Sequence, residues 1–342
     1  MNPLDRKFKI LFAVIEKYIS TGEPVGSKTI CEDFDLSFSS ATIRNEMADL
    51  VSIGYLTQPH ISAGRVPSDK GYRVYVNKLM KELPLSSEER SLINGELGRA
   101  SVNPESLLEC AAEILAVATG FTSVITTPLN QFARVRDVKF VQISQQGAML
   151  VLITTSGMVK NKLFRCDYTL NEEILKMFEK IIREEFSGRP LTDINPENVG
   201  ILVSGSREFS KMLLPVIDVL IETVKEAREV KVKISGKENI LLFPDITKQT
   251  VIDLFRFFEN DDKMLSLLNV GGYGINYIIG EENSYEELQD ITVVSSKYRI
   301  ANKFGVLGIV GPTRMNYNLV SEYLRYVSEL IGKFLERILK GE

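Results

Sequence analysis

The feature that most limits the fold is the apolar pattern near the end of the chain. Leu319, Val320, Tyr323, Leu324, Val327, Leu330, Ile331, Phe334, Leu335, Ile338 and Leu339 recur at three- and four-residue steps and occupy two sides of one helix. A surface helix hides one stripe; a helix with two must be covered by a sheet or by another helix. Strand patterns at 275–279, 291–294 and 304–310 precede it. Three more, at 135–144, 148–155 and 158–166, are joined by short turns holding Gly147 and Gly157, which predicts an antiparallel meander. Helical patterns run over 85–98 and 104–120. Antiparallel strands with helices packed on them give an α+β class.

The 342 residues leave room, at about 150 per domain, for two or three domains. Hydrophobic residues at 44% and charged residues at 25% are ordinary for a globular protein. The longest apolar runs, 10–15 and 112–118, fall well short of the ~20 residues that cross a bilayer. No signal-peptide core follows Met1, so a cytoplasmic protein is expected. Cys31, Cys110 and Cys166 are scattered and odd in number, which offers neither a disulfide framework nor a paired-cysteine metal site. His60 is the one histidine, so most zinc sites and any two-imidazole mechanism are excluded. No enzyme, metal or cofactor is expected. A net charge of −4 argues against a wholly basic nucleic-acid coat but permits a local patch.

Such a patch lies near the N-terminus. Phe8, Leu11, Phe12, Ile15, Tyr18 and Ile19 form the stripe of a first helix, stopped by Gly22 and Pro24. Ser27 is placed to cap a short second helix bearing Ile30, Cys31 and Phe34. Ser39 or Ser40 caps a third, running to about Ile53 and ended by Gly54. Ile43, Met47 and Leu50 share its inner face, which leaves Ala41, Asn45, Ala48, Asp49 and Ser52 outside with Thr42 and Arg44 on the flanks. An outer face of this kind suits a major groove: arginine grips guanine or phosphate, asparagine pairs with adenine, methyl groups meet thymine. It equally suits the solvated side of a helical bundle. A hairpin follows, with a strand at 55–59, a turn at Ser62-Ala63-Gly64-Arg65 and a return at Val66 and Pro67. Three helices and a hairpin are the winged-helix order, with Arg65 expected near the wing tip. Residues 60–80 carry Arg65, Lys70, Arg73 and Lys78 against Asp69, a net +3.

The stretches Ser39-Ser40-Ala41-Thr42-Ile43-Arg44-Asn45-Glu46-Met47 and Gln58-Pro59-His60-Ile61-Ser62-Ala63-Gly64-Arg65-Val66-Pro67-Ser68-Asp69-Lys70-Gly71-Tyr72-Arg73 resemble the heat-inducible transcription repressor family, HrcA. Gly311-Pro312-Thr313-Arg314-Met315-Asn316-Tyr317 resembles its C-terminal signature. The resemblance implies a homodimer that binds an inverted-repeat (CIRCE-type) operator before chaperone genes, releases it on heat stress, and depends on the chaperonin. It further implies an N-terminal winged helix-turn-helix at 1–82, a GAF-like α+β domain at 83–168 and 269–342, and an inserted α/β dimerisation domain at 169–268. The apolar helices of that insert, one through Ile174–Phe186 and one over 209–224 that Pro215 should kink or divide, would also suit a private core. A hairpin over 230–234 and 240–243 is expected there too.

Ala41, Thr42, Arg44 and Asn45 are thus expected to read bases, and Lys28, Arg65, Lys70 and Arg73 to position the DNA backbone. His60 is a weaker DNA candidate. Gly305-x-x-Gly308-x-x-Gly311 lacks the Lys-Ser/Thr of a phosphate loop and is expected to be close-packed strand; Gly271–Gly274 is expected to be a turn. Glu281-Glu282 and Glu286-Glu287 have no histidine or lysine partner, and Arg314 suits a structural ion pair better than an anion site. Two rivals remain open. One is a winged-helix regulator whose GAF-like domain binds a small effector; the other is an enzyme with a DNA tether, disfavoured by the missing histidines.

Overall fold

The structure, a computed structural model, describes residues 3–35, 37–60, 63–81, 83–128, 133–198, 210–244, 246–268, 271–300 and 303–340. Contacts divide the chain into two compact units: Met1–Thr127 with Val232–Ile338, and Pro128–Lys231 with Leu339–Glu342. Both combine helices with antiparallel strands, the α+β class expected. In chain order the helices are α1 (Pro3–Thr21), α2 (Ser27–Asp33), α3 (Ser40–Ser52), α4 (Asp69–Val74), α5 (Ser87–Ala100), α6 (Pro104–Thr119), α7 (Glu172–Phe186), α8 (Ser210–Arg228), α9 (Lys248–Phe258), α10 (Asp261–Leu268) and α11 (Tyr317–Lys340). The strands are β1 (Leu56–Thr57), β2 (Val66–Pro67), β3 (Thr122–Thr126), β4 (Val135–Gln142), β5 (Gly147–Thr154), β6 (Val159–Arg165), β7 (Val232–Ser235), β8 (Ile275–Ile279), β9 (Ile291–Ile300) and β10 (Lys303–Pro312).

The first unit is built on an antiparallel sheet in the order β7-β3-β10-β9-β8. Alternate side chains go to opposite cores. Ile125, Val294, Leu307 and Ile309 join α5, α6 and α11, while Val124, Val293, Val306 and Val310 join α9 and α10. A sheet buried on both faces needs apolar residues at consecutive positions, which is why these strands read as near-continuous runs. Helix α11 shares its core with the sheet and with the N-terminal helices, so both of its apolar sides find cover. The glycines of the Gly305–Gly311 run are packing positions. A Cβ at Gly308 would lie 2.4 Å from Leu268 of α10, and one at Gly305 would meet the Tyr298 ring at 2.3 Å.

Upstream, Ile10, Leu11, Val14 and Ile15 of α1, Ile30 of α2 and Ile43, Met47 and Leu50 of α3 close on one another. Full burial of each such side chain contributes about 1.5–3 kcal/mol. Gly26, and not Ser27, occupies the N-cap of α2; the Ser27 hydroxyl instead lies 3.1 Å from that of Ser40 and links α2 to α3.

The expected hairpin at 230–243 is not formed. Residues Val232–Ser235 pair with β3, and Lys237–Leu242 turn into a 3₁₀ helix that drives Ile240 into the core beside Val124.

In the second unit the meander β4-β5-β6 forms as expected. Its inner residues Val138, Phe140, Leu150, Leu152 and Phe164 pack on Phe178 and Ile182 of α7 and on Val216, Leu220 and Val224 of α8. Helix α8 continues through Pro215 as one element, and Phe209 lies outside the described residues. The expected boundary after residue 168 therefore moves. Among the described residues α7 and α8 are the helices that cover the inner face of the meander, so it groups with them, whereas 232–268 group with the first unit.

Candidate nucleic-acid interface

Helix α3 is fixed at its start by Ser39, whose hydroxyl accepts the Thr42 backbone N–H at 3.2 Å. That first turn presents Ala41, Arg44 and Asn45 to solvent, followed by Ala48, Asp49 and Ser52 on the same side. Thr42 is half-buried, with its hydroxyl 2.9 Å from that of Ser39. Among the described residues Arg44, Asn45, Lys28 and Lys70 are exposed and enter no side-chain hydrogen bond or ion pair within the chain. An exposed arginine and asparagine one turn into a capped helix are free to bond a base edge.

Two further cations, unforeseen from the sequence, shape this face. Lys7 of α1 meets Asp49 at 2.8 Å, which places a positive charge beside the one acid on the outer side of α3. The bond to Asp49, set against partial desolvation, raises the lysine above its ordinary value. Arg6 donates to Glu46 Oε1 at 2.6 Å, and Glu46 is buried beneath the helix with its Oε2 unpartnered. The sequence did carry a signal: Glu46 adjoins Met47 on the inward side of α3, and a carboxylate there demands a cation.

The hairpin pairs Leu56 with Pro67 and Thr57 with Val66. At its tip Ala63 N–H donates to the His60 carbonyl at 2.9 Å; Ile61 and Ser62 lie outside the described residues. Two expected backbone contacts are placed otherwise. Arg65 stands where the loop rejoins the second strand, one residue before the Val66–Thr57 pair; it exchanges backbone hydrogen bonds of 2.8 and 2.9 Å with Val25, and its Nη1 donates to the Ala63 and Gly64 carbonyls at 3.3 and 3.4 Å. Gly64 permits this approach, since a Cβ there would lie 2.5 Å from the Val25 oxygen. Arg73 is half-buried, and its Nε donates to Glu282 at 2.8 Å and one Nη to the Tyr277 carbonyl at 2.8 Å. Its side chain is 29% exposed, and its Nε and one Nη are taken up within the chain. The charge pattern along 60–80 could not show this, because Glu282 is remote in sequence.

Of the other candidates, Arg314 Nη1 donates to the Ile19 carbonyl at 3.3 Å with its guanidinium against Gly22, fastening the end of α1. Gly271 and Gly274 have φ values of 93° and 97° in a turn before β8. Among the described residues no cluster of three histidines, cysteines or acids could hold a metal, and no helix is long and apolar enough to cross a membrane.

Residues 105–320 match the family model described as the HrcA protein C-terminal domain. The protein named heat-inducible transcription repressor HrcA of Clostridium acetobutylicum is 34% identical over 340 residues, covering 99% of each chain. The protein of that name from Lachnoclostridium phytofermentans is 35% identical over 94% of each. That of Acetivibrio thermocellus is 33% identical over 98% of this chain and 97% of its own. A crystal structure of a hypothetical protein, 24% identical, superposes over 98% of this chain and 99% of that one with a TM-score of 0.69, the same fold. With its length, its family model and its relatives in accord, the chain belongs to the HrcA family of heat-inducible transcription repressors, a family of regulators and not of enzymes.

Proposed function

We propose that this repressor of heat-shock transcription binds an inverted-repeat, CIRCE-type operator as a homodimer, reading bases with α3 of an N-terminal winged helix. The observation that carries the reading is the division of α3. Ile43, Met47 and Leu50 are buried, while Ala41, Arg44 and Asn45 stand exposed on the outside, as does Lys28 of α2. Arg44 and Asn45 contact base edges, Ala41 and Thr42 meet thymine methyls, and Lys28 and Lys70 hold phosphates. One such module touches one half-site, so stable specific occupancy needs two.

The second unit supplies a surface for the second copy. Its helices cover one face of the meander, and the opposite face exposes Val141, Val159 and Leu163 around Met149, Val151 and Ile153. On this reading the five-stranded sheet with its helices is the GAF-like domain that the resemblance implies, and the chaperonin is the partner it implies for recovery after heat. Footprinting the purified protein on the DNA upstream of chaperone genes tests the reading. Symmetric protection of two half-sites is expected; protection of a single unpaired site would refute the dimer, and none at all would refute α3 as the reader.

A ligand-gated regulator is the second reading, favoured by a cleft of about 490 Å³ lined by Val76, Met80, Tyr277, Ser296, Lys297 and Arg325. Titrating operator binding with cell metabolites separates the two, because an effector must change DNA affinity as DNA changes its own.

A further inference from the structure

Arg73 belongs to the motif that resembles the family's DNA-binding end, yet all its visible bonds run to the sheet. Its guanidinium grips Glu282, in the turn that follows β8, with two nitrogens and donates to the Tyr277 carbonyl within β8. A planar fork on a carboxylate is among the strongest and most direction-specific polar contacts in a protein. Glu282 is itself held, its Oε2 accepting Ile279 N–H at 2.8 Å. One turn earlier on α4, Asp69 accepts the Glu281 backbone N–H at 2.9 Å. Gly280 lets the loop close over that carboxylate: its φ is +52°, and a Cβ there would lie 2.0 Å from Asp69 Oδ2. The rings of Tyr72 and Tyr75 beneath it face Tyr317 with centroids 5.5 and 6.2 Å away. Burial disfavours the Glu282 carboxylate, but the bonds from Arg73 and Ile279 outweigh it and hold the group below its ordinary value.

We propose that Arg73 is a positioning residue for operator binding: clamped by Glu282 and the Tyr277 carbonyl, it locks the three-helix module onto the five-stranded sheet and so sets how α3 is offered to DNA. The inference rests on α3 being the reader. Two linked modules gain from each other only through an effective concentration set by the stiffness between them. Loosening the clamp therefore lowers affinity for a full operator and leaves affinity for one half-site unchanged. A phosphate contact behaves oppositely, since its loss weakens all DNA and flattens the salt dependence.

The experiment compares the full-length native chain with Arg73→Gln, Glu282→Gln, the double variant and Asn45→Ala on full operator, single half-site and random DNA across a salt series. Thermal melts accompany each. Either single variant is expected to lose roughly 5–150-fold on the full operator, the usual range for coupled sites. Half-site affinity and salt slope should stay native, and the double variant should be no worse than either single. Arg73→Lys, which keeps the charge but not the fork, should fall with them and still fold. The clamp is overturned if Arg73→Gln weakens all three DNAs with a shallower slope while Glu282→Gln binds normally. It is equally overturned if Arg73→Lys or Glu282→Gln keeps native operator affinity. Native operator affinity in Asn45→Ala would instead overturn the assignment of α3 as reader.

Discussion

Replacing Ser39 separates the stability of α3 from its contact with DNA. The hydroxyl accepts the Thr42 N–H at 3.2 Å and lies 2.9 Å from the Thr42 hydroxyl, so Ser39→Ala removes the side-chain N-cap of the helix. An N-cap lost to alanine costs about 1 kcal/mol, within a range of roughly 0.5–2. The cost falls on the first turn, where Ala41, Thr42 and Arg44 sit. Ser39→Asp keeps the cap and adds a negative charge at the positive end of the helix, worth about 0.3–1 kcal/mol in favour of folding. On DNA the same charge faces phosphates. The two variants should therefore diverge: alanine lowers hydrogen-exchange protection of the α3 amides and weakens operator binding only by the fraying it causes, about fivefold for 1 kcal/mol and at most about thirtyfold for 2. Aspartate should preserve or raise protection while weakening all DNA. Exchange followed by mass spectrometry, alongside binding at low and moderate salt, reads both quantities. Native DNA affinity in Ser39→Asp would refute the placement of this helix end against the phosphate backbone.

Asn45→Ala and Arg44→Ala should each cost about 1–3 kcal/mol on the operator and little on random DNA, whereas Lys70→Ala should weaken both alike; equal losses for Asn45→Ala would remove it from the reading set. With Arg65 and Arg73 engaged within the chain, Lys28, Arg44 and Lys70 leave a dimer about six cations, so log K against log salt should slope no more steeply than about −5. Leu163→Asp on the open face of the meander should dissociate the dimer in sedimentation while circular dichroism stays native; an unchanged dimer would put the interface elsewhere. Glu282, lowered from the usual 4.5, lends the first unit stability that is present above that value and lost as pH falls through the lowered one, while Asp69, raised mainly by burial, acts in the opposite sense between 3.8 and its raised value. Glu282→Gln should accordingly flatten the acid limb of stability against pH, and an identical limb would contradict the sign.

Most elements were legible because their periodicity is strong. The inner stripe of α3, the stripes of α11 and the alternation in β4–β6 all depend on neighbours a few residues away, and all took the expected form. What escaped depended on partners far along the chain. Ile240 turns inward because Val124 waits there, and Arg73 is bonded within the chain because of an acid some two hundred residues downstream. A local charge count treats Arg65, Lys70 and Arg73 as equals, yet only Lys70 is left unattached. The outer face proposed to read DNA was visible for the converse reason: among the described residues Arg44 and Asn45 have no partner to find.

The second unit leaves the first after β3 and returns at β7, and Thr126 stands directly across from Val232 in the sheet register. The whole excursion is thus a long hairpin loop that happens to be folded. Closing an unstructured loop of that length costs little more than closing one half as long, but a folded insert holding its own ends near each other removes most of even that penalty. Chains grow from the N-terminus, and Pro128–Lys231 emerge together, whereas β3 must wait for β7 and β10 to be made. A nascent chain halted before Tyr317 should therefore carry a protease-resistant middle between digestible flanks, with the outer unit completed only once its last helix has left the ribosome.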